Sequence, residues 1–257
     1  MKTRIALVLT MALLFLLIGV GCEEDNKLNS SEGQTEERSE TRHTERLAWD
    51  YPVKPGTEEW NKIQSSQEML NACQIPERVL TSLSTKDLAE LCLSYPLLGD
   101  MLFSNTSIQD GFNFISSTFN GFQELFKRKD AGIELLKQYE QFNLDSFKKN
   151  KGITITNVFY DLCIDIVMGQ HLILSQLNTE EKKKLIEIAL KNLKKKQDDM
   201  DSPFRQKTTA VILSRLLIKE NVSLSTNDKF LQLNDDYILM DNQFINYIQK
   251  EAEAFIK

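Results

Sequence analysis

Few side chains in this 257-residue sequence combine type and spacing in a way that could do chemistry. Cysteines stand at 22, 73, 92 and 163, histidines at 43 and 171, and tryptophans at 49 and 60. Asp161 and Asp165 lie four apart and are therefore neighbours on one face of a helix. His171 is the residue that would complete a metal site with them. Ten residues at 100° each place it about 80° around the helix from Asp161, which is not a ligand spacing, so neither a metal nor any other cofactor is expected. His43 stands alone in a polar stretch. Trp49, Tyr51 and Trp60 form an aromatic set that could stack on sugar rings or a peptide. The simpler reading is an N-terminal arm pinned to the helices by aromatic anchors. Cys73, Cys92 and Cys163 are an odd number and include no Cys-x-x-Cys pair, so they make no disulfide framework. They are either three buried thiols, small hydrophobes in effect, or a Cys73–Cys92 bridge with Cys163 left over. The sequence holds no Gly-x-Ser-x-Gly, no Gly-rich phosphate loop and no His-Glu-x-x-His. Catalysis has no recognisable machinery here, and the reading leans away from an enzyme.

These residues must be positioned by helices. Only 10 glycines and 5 prolines occur, where average usage of roughly 7% and 5% would give about 18 and 13. Doubly wound and all-β folds need more turn residues than that. An all-α fold is expected, either an irregular multi-helix bundle or a solenoid-like stack of helical hairpins. Capping signals punctuate it. Thr57 precedes Glu58-Glu59-Trp60, and Ser65 or Ser66 opens a helix with Met69, Leu70 and Cys73. Pro76 begins a short one, and Ser84-Thr85-Lys86-Asp87 reads as a capping box before Leu88, Leu91, Cys92 and Tyr95. Ser107 precedes Ile108, Phe112 and Ile115; Asn120-Gly121 marks a break; Asp130 precedes Ile133, Leu136 and Tyr139. The phenylalanines from 103 to 147 read as helix packing in preference to a ligand groove.

Lys148-Lys149-Asn150-Lys151-Gly152 is the strongest internal punctuation, and it suggests a subdomain boundary near 148–156. Ile153 to Thr156 reads as an extended link, with Asn157 capping the helix that carries Asp161 and Asp165. Leu174 to Glu181 echoes Leu80 to Asp87, which favours a repeat of hairpins if it is more than recurring capping chemistry. Lys182-Lys183-Lys184 and Lys194-Lys195-Lys196 make the densest basic patch, expected as a solvated face. Ser202-Pro203 and Asp241 open the last two clear helices, and 221–239 carries the weakest pattern.

The first 22 residues have a different character. Lys2 and Arg4 precede the run Ile5–Val20, of signal-peptide rather than membrane-spanning length. Gly19, Val20 and Gly21 lead into Cys22. In this order of features the segment resembles the export signal of bacterial lipoproteins, although Gly19 stands where that family usually has leucine. The resemblance implies cleavage after residue 21 and acylation of Cys22, palmitate included, with anchoring to the cell envelope. Glu23-Glu24-Asp25 resembles a surface-display signal, so the outer membrane, facing periplasm or cell exterior, is the expected location. From Glu23 to Arg46 only Leu28 among large apolar residues interrupts the polar sequence, which predicts a disordered tether over 22–48 carrying a helical domain over 49–257. Within that domain Tyr51–Tyr95 resembles only exported bacterial proteins of unknown activity. Removing Lys2 and Arg4 leaves 29 basic against 37 acidic residues, a net charge of −8. Such a chain repels phosphate backbones, and nucleic acid is excluded as a partner. The function expected is an interaction or structural module, its partners the membrane, through Cys22, and another envelope protein. The alternative is an envelope glycan-binding protein or hydrolase with an aromatic cleft near Trp49, Tyr51 and Trp60.

Overall fold

Local capping chemistry lays out the helices. In a computed structural model of the chain, the structure describes residues 49–142, 155–198, 203–220 and 241–257. The signal segment 1–21, Cys22, the tether 22–48, most of the boundary near 148–156, Ser202 and the stretch 221–239 lie outside them. Among the described residues are twelve α-helices, one 3-10 helix and no strand. The fold is all-α.

Thr57 accepts a hydrogen bond from the Trp60 amide to begin α1 (Glu58–Lys62), and Ser65 accepts from Glu68 N to begin α2 (Ser66–Ala72). Pro76 takes the cap position of α3 (Glu77–Leu80), one place earlier than the sequence suggests. At α4 (Thr85–Leu93) half of the expected capping box forms: Asp87 N donates to Ser84 Oγ at 3.1 Å, while the Asp87 carboxylate accepts from the Ser84 hydroxyl at 2.6 Å instead of from the Ser84 backbone N–H. A 3-10 segment (Leu98–Phe103) follows Pro96, and Ser107 caps α5 (Ile108–Thr118). The Asn120-Gly121 break separates α5 from α6 (Asn120–Leu125). There the Asn120 amide pairs with the backbone of Ile75, accepting from its N–H at 3.0 Å and donating to its C=O at 2.7 Å. Asp130 precedes α7 (Ala131–Gln141) without capping it; its carboxylate accepts from the Thr85 hydroxyl at 2.9 Å instead.

Helix α8 (Ile155–Met168) is the centre of the arrangement. Ile155 and Thr156 already belong to it, so they are not an extended link, and Asn157 lies inside the helix instead of capping it. Every residue from Asp161 to Gln170 is buried, and a helix wrapped on all sides is a core element rather than a surface one. It touches α4, α7, the 3-10 segment, α9 (His171–Leu174) and α11 (Pro203–Lys219). Helix α10 (Thr179–Asp198) packs on α7, α11 and α12 (Asn242–Phe255), and α12 closes over α11. A solenoid repeat would contact only its neighbours in sequence. A helix that meets partners from both ends of the chain makes this an irregular bundle. The echo between Leu80–Asp87 and Leu174–Glu181 is therefore recurring capping chemistry: Glu181 N donates to Asn178 Oδ1 at 3.0 Å while Asn178 N donates to Glu181 Oε2 at 2.8 Å.

Residues Leu47–Lys257 cluster as one unit. Buried side chains on both sides of 143–154 belong to one core, so the break expected near 148–156 does not separate two cores. Phe112, Phe119 and Phe122 lie inside it with edge-to-face contacts, 5.2 Å between Phe112 and Phe122 and 5.7 Å between Phe119 and Phe122. Gly111 permits the close crossing of α5 on the 3-10 segment, since a Cβ there would stand 2.4 Å from the Met101 carbonyl oxygen. No helix among the described residues is long and apolar enough to cross a membrane.

Candidate functional site

The arm that enters the fold carries Trp49 and Tyr51, with Trp60 just beyond it in α1. Pro55-Gly56 turns the chain, with Gly56 at φ +94°, a left-handed value that glycine adopts without steric cost. Before that turn Tyr51 plunges inward. It is 3% exposed, and its hydroxyl donates to the Leu91 carbonyl at 2.8 Å. Trp49 packs edge-on against it at 5.0 Å between ring centres, and beyond Tyr51 the Tyr95 and Phe119 rings stack at 4.0 Å. Trp49 and Trp60 are half-buried against the same core. Tyr51 thus has no ring face to offer a ligand, which counts against the alternative of a three-ring platform and agrees with the simpler reading of a pinned arm. The arm is a strap, and burial raises the Tyr51 phenol far above its ordinary range.

The cysteines of the folded part are likewise internal. Cys73, Cys92 and Cys163 are free and buried, so no Cys73–Cys92 bridge forms. Burial pushes the Cys73 thiol up to about 11 and raises Cys92 and Cys163 further. Thiols held protonated are poor nucleophiles.

The strongest concentration of chemistry lies elsewhere, where α7, α8, α10 and α11 meet. Asp161 and Asp165 do share a face of α8, but that face is internal; each is 1% exposed. Between them sits Lys196 of α10, also 1% exposed, with its ammonium 2.9 Å from Asp161 Oδ1 and 2.8 Å from Asp165 Oδ2. Arg205 of α11 donates from Nε to Asp161 Oδ2 at 2.9 Å. The second Asp165 contact set is neutral. Thr208 and Thr209 hydroxyls donate to Oδ2 at 2.6 and 2.7 Å, and the Tyr139 hydroxyl donates to Oδ1 at 2.9 Å. Two carboxylates and two cations balance, and the carboxylate oxygens are supplied with donors, the condition under which buried charge is tolerated.

The electrostatics follow from burial. Desolvation raises the Asp161 carboxyl above its usual range; Lys196 pulls it down, the Asp165 charge raises it, and the hydrogen bonds from Lys196 and Arg205 lower it again. The net direction is upward. Tyr139 is raised well above the usual phenol value, first by burial and then by the Asp165 charge.

Lys196 corrects the reading of a solvated basic patch, since only part of that lysine run faces water. Its register contained the signal. Leu185, Ala189 and Leu193 form the buried stripe of α10, and eleven residues at 100° bring Lys196 to within about 20° of Leu185. Arg205, Thr208 and Thr209 were missed because their partners lie 44 residues or so upstream, with Arg205–Asp161 and Thr209–Asp165 both at that separation. His171 begins α9 and is exposed; it does not join the aspartates. Among the described residues no three His, Cys, Asp or Glu side chains gather as metal ligands.

No family model, curated protein or solved structure matches this chain. The buried centre, in which each carboxylate faces a cation, ties four helices together.

Proposed function

We propose that this chain is an extracytoplasmic protein of the bacterial envelope, anchored by lipid on Cys22, whose helical domain serves as an interaction or structural module. One observation carries the proposal: a basic start, an apolar run of signal-peptide length, small residues and a cysteine follow one another over residues 1–22. Acyl chains hold a protein to a bilayer because each buried methylene contributes about 0.8 kcal/mol, and more than one chain makes the attachment durable. The domain supports the second half of the reading. Its richest cluster of charge, Asp161, Asp165, Lys196 and Arg205, is committed to holding helices together. The partners of such a module are the membrane, through Cys22, and another envelope protein.

The test is Cys22→Ser in a host that acylates lipoproteins. Labelling with a palmitate analogue is expected in the parent and lost in the variant, which accumulates as uncleaved precursor. Unchanged labelling of the variant rejects the anchor. Cross-linking in intact cells is expected to capture one reproducible envelope protein. Turnover of a defined substrate by the purified chain, with no partner captured, would replace the module by an enzyme.

A further inference from the structure

A second arrangement of polar groups lies at the surface, where α5 and the α8–α9 corner come together around a cleft of about 340 Å³. Its polar wall is a chain of side-chain amides with a buried root. Arg215 of α11, 2% exposed, donates from Nη1 to the Gly169 carbonyl at 2.8 Å and from Nη2 to Gln109 Oε1 at 2.9 Å. Gln109 in turn donates from Nε2 to Gln170 Oε1 and to Asn113 Oδ1, both at 2.9 Å, and accepts from Gln170 Nε2 at 3.4 Å.

A carboxamide has two donor hydrogens and two acceptor lone pairs. Gln109 has all four engaged, so it has nothing left for a ligand and acts as a positioning residue. Its effect is on its neighbours. Asn113 Oδ1 accepts from Gln109, no hydrogen bond among the described residues engages its Nδ2 group, and Asn113 lines the cleft. Gln170 Oε1 keeps one lone pair, and Ser116, whose hydroxyl donates to the Asn113 carbonyl at 3.1 Å, keeps its acceptor capacity. Phe112, Phe126, His171 and Leu172 also line the cleft, Leu172 being 57% exposed. None of the lining side chains is a carboxylate, lysine or arginine.

We infer that this cleft binds a neutral saccharide unit. A hydroxyl both donates and accepts, so neighbouring sugar hydroxyls fit fixed Asn113 donors set beside the Gln170 and Ser116 acceptors, while the carbon face of the ring covers Phe126 and Leu172. The volume is at the small end of ligand sites, which run from roughly 300 to 1,000 Å³; it suits a small sugar rather than the body of a polymer. Preorganisation by a buried guanidinium favours binding because the side-chain ordering cost is already met in the free protein. The inference rests on the cleft alone and is independent of the anchor on Cys22. It places sugar recognition at α5 and α9, away from the Trp49–Tyr51 strap.

The test is saturation-transfer NMR on the full chain with glucose, N-acetylglucosamine and maltose, and with trialanine as the peptide comparison. At about 10 mM ligand, well above a weak affinity of roughly 1 mM, at least one sugar is expected to receive saturation. Asn113→Ala removes the donors from an exposed position and is expected to weaken that sugar at least tenfold with no change in thermal unfolding. Gln109→Glu keeps the acceptor for Arg215 but loses both donors that orient Asn113 and Gln170. Its expected signature is weakened sugar binding in a chain that melts as the parent does. Three results overturn the inference: no transfer to any of the sugars, transfer undiminished in Asn113→Ala, or Asn113-dependent transfer to trialanine in place of the sugars.

Discussion

Replacing Lys196 by methionine isolates the energetics of the buried centre. The substitution roughly keeps the length of the side chain and removes only the ammonium, which contacts Asp161, Asp165 and the Thr209 hydroxyl at 2.8 to 2.9 Å. Two carboxylates then face Arg205 alone, and one negative charge is left without a counter-charge inside the protein. Removing one partner of a buried pair costs about 3–5 kcal/mol, against a total stability of about 5–15 kcal/mol for a typical domain. At about 2–4 °C per kcal/mol for a domain of this size, the melting temperature should fall by about 6–20 °C. Asp165→Asn in the same background restores neutrality, because Asp161 and Arg205 remain as a pair. The double variant should therefore lose less than the two single losses added together, by at least about 1 kcal/mol. Urea unfolding followed by circular dichroism on all four proteins measures the cycle. A Lys196→Met loss below about 1 kcal/mol, or strictly additive losses, would refute the reasoning that the centre acts as a charge-balanced unit.

The remaining predictions concern the same core. Asp161 has a carboxyl raised above its unfolded-state value, so the folded state binds that proton more tightly. Its contribution to stability is complete below the unfolded value and is lost as pH rises through the folded one. The parent should therefore gain stability relative to Asp161→Asn as pH falls from neutrality toward 4, and a relative loss over that range would show that Lys196 and Arg205 outweigh desolvation. Tyr51→Phe removes the hydrogen bond to the Leu91 carbonyl, which keeps a second donor in the Ser94 hydroxyl at 3.2 Å. An unfolding free energy lower by about 0.5–1.5 kcal/mol is expected, and no change in the urea midpoint would place the Tyr51 hydroxyl in water. Gly111→Ala puts a methyl group against the Met101 backbone and should cost about 1–3 kcal/mol by overpacking; an unchanged melting temperature would mean that α5 and the 3-10 segment separate freely. Cys73, Cys92 and Cys163 are buried, and they should resist iodoacetamide in the native chain and alkylate only after denaturation. Labelling at similar rates in both states, read by mass spectrometry of peptides, would contradict their placement.

Much of the helical layout was legible because capping is local. Thr57, Ser65, Ser84, Ser107 and Asp241 each accept from an amide three residues on, a relation contained within one turn of sequence. What spans the fold was not legible in that way. Gln109 and Arg215 are 106 positions apart, and Asn120 meets Ile75 across 45; neither pair leaves a mark in the residues around it. The burial of helix α8 was hard to read for a different reason. Its two aspartates imitate the polar face of an amphipathic helix, although the density of Leu162, Cys163, Ile164, Ile166, Val167 and Met168 leaves no such face. Carboxylates in a helix apolar on every side call for buried cations elsewhere, and Lys196 stood in register with the α10 stripe to answer them. The lysine run around it concealed that position, because Lys194 is exposed and Lys195 half-buried while Lys196 is enclosed. The three aromatics of the arm were visible as a group, but which of them turned inward depended on the distant Leu91 carbonyl.

The most direct measurement of the anchoring claim is the intact mass of the protein extracted from the membranes of a bacterial host that processes lipoproteins. The account predicts a chain beginning at Cys22 and heavier than its sequence by a diacylglyceryl group and an amide-linked acyl chain, with three thiols titrating after denaturation. A chain of unmodified mass, or one in which the Cys22 thiol titrates as a fourth, would contradict it.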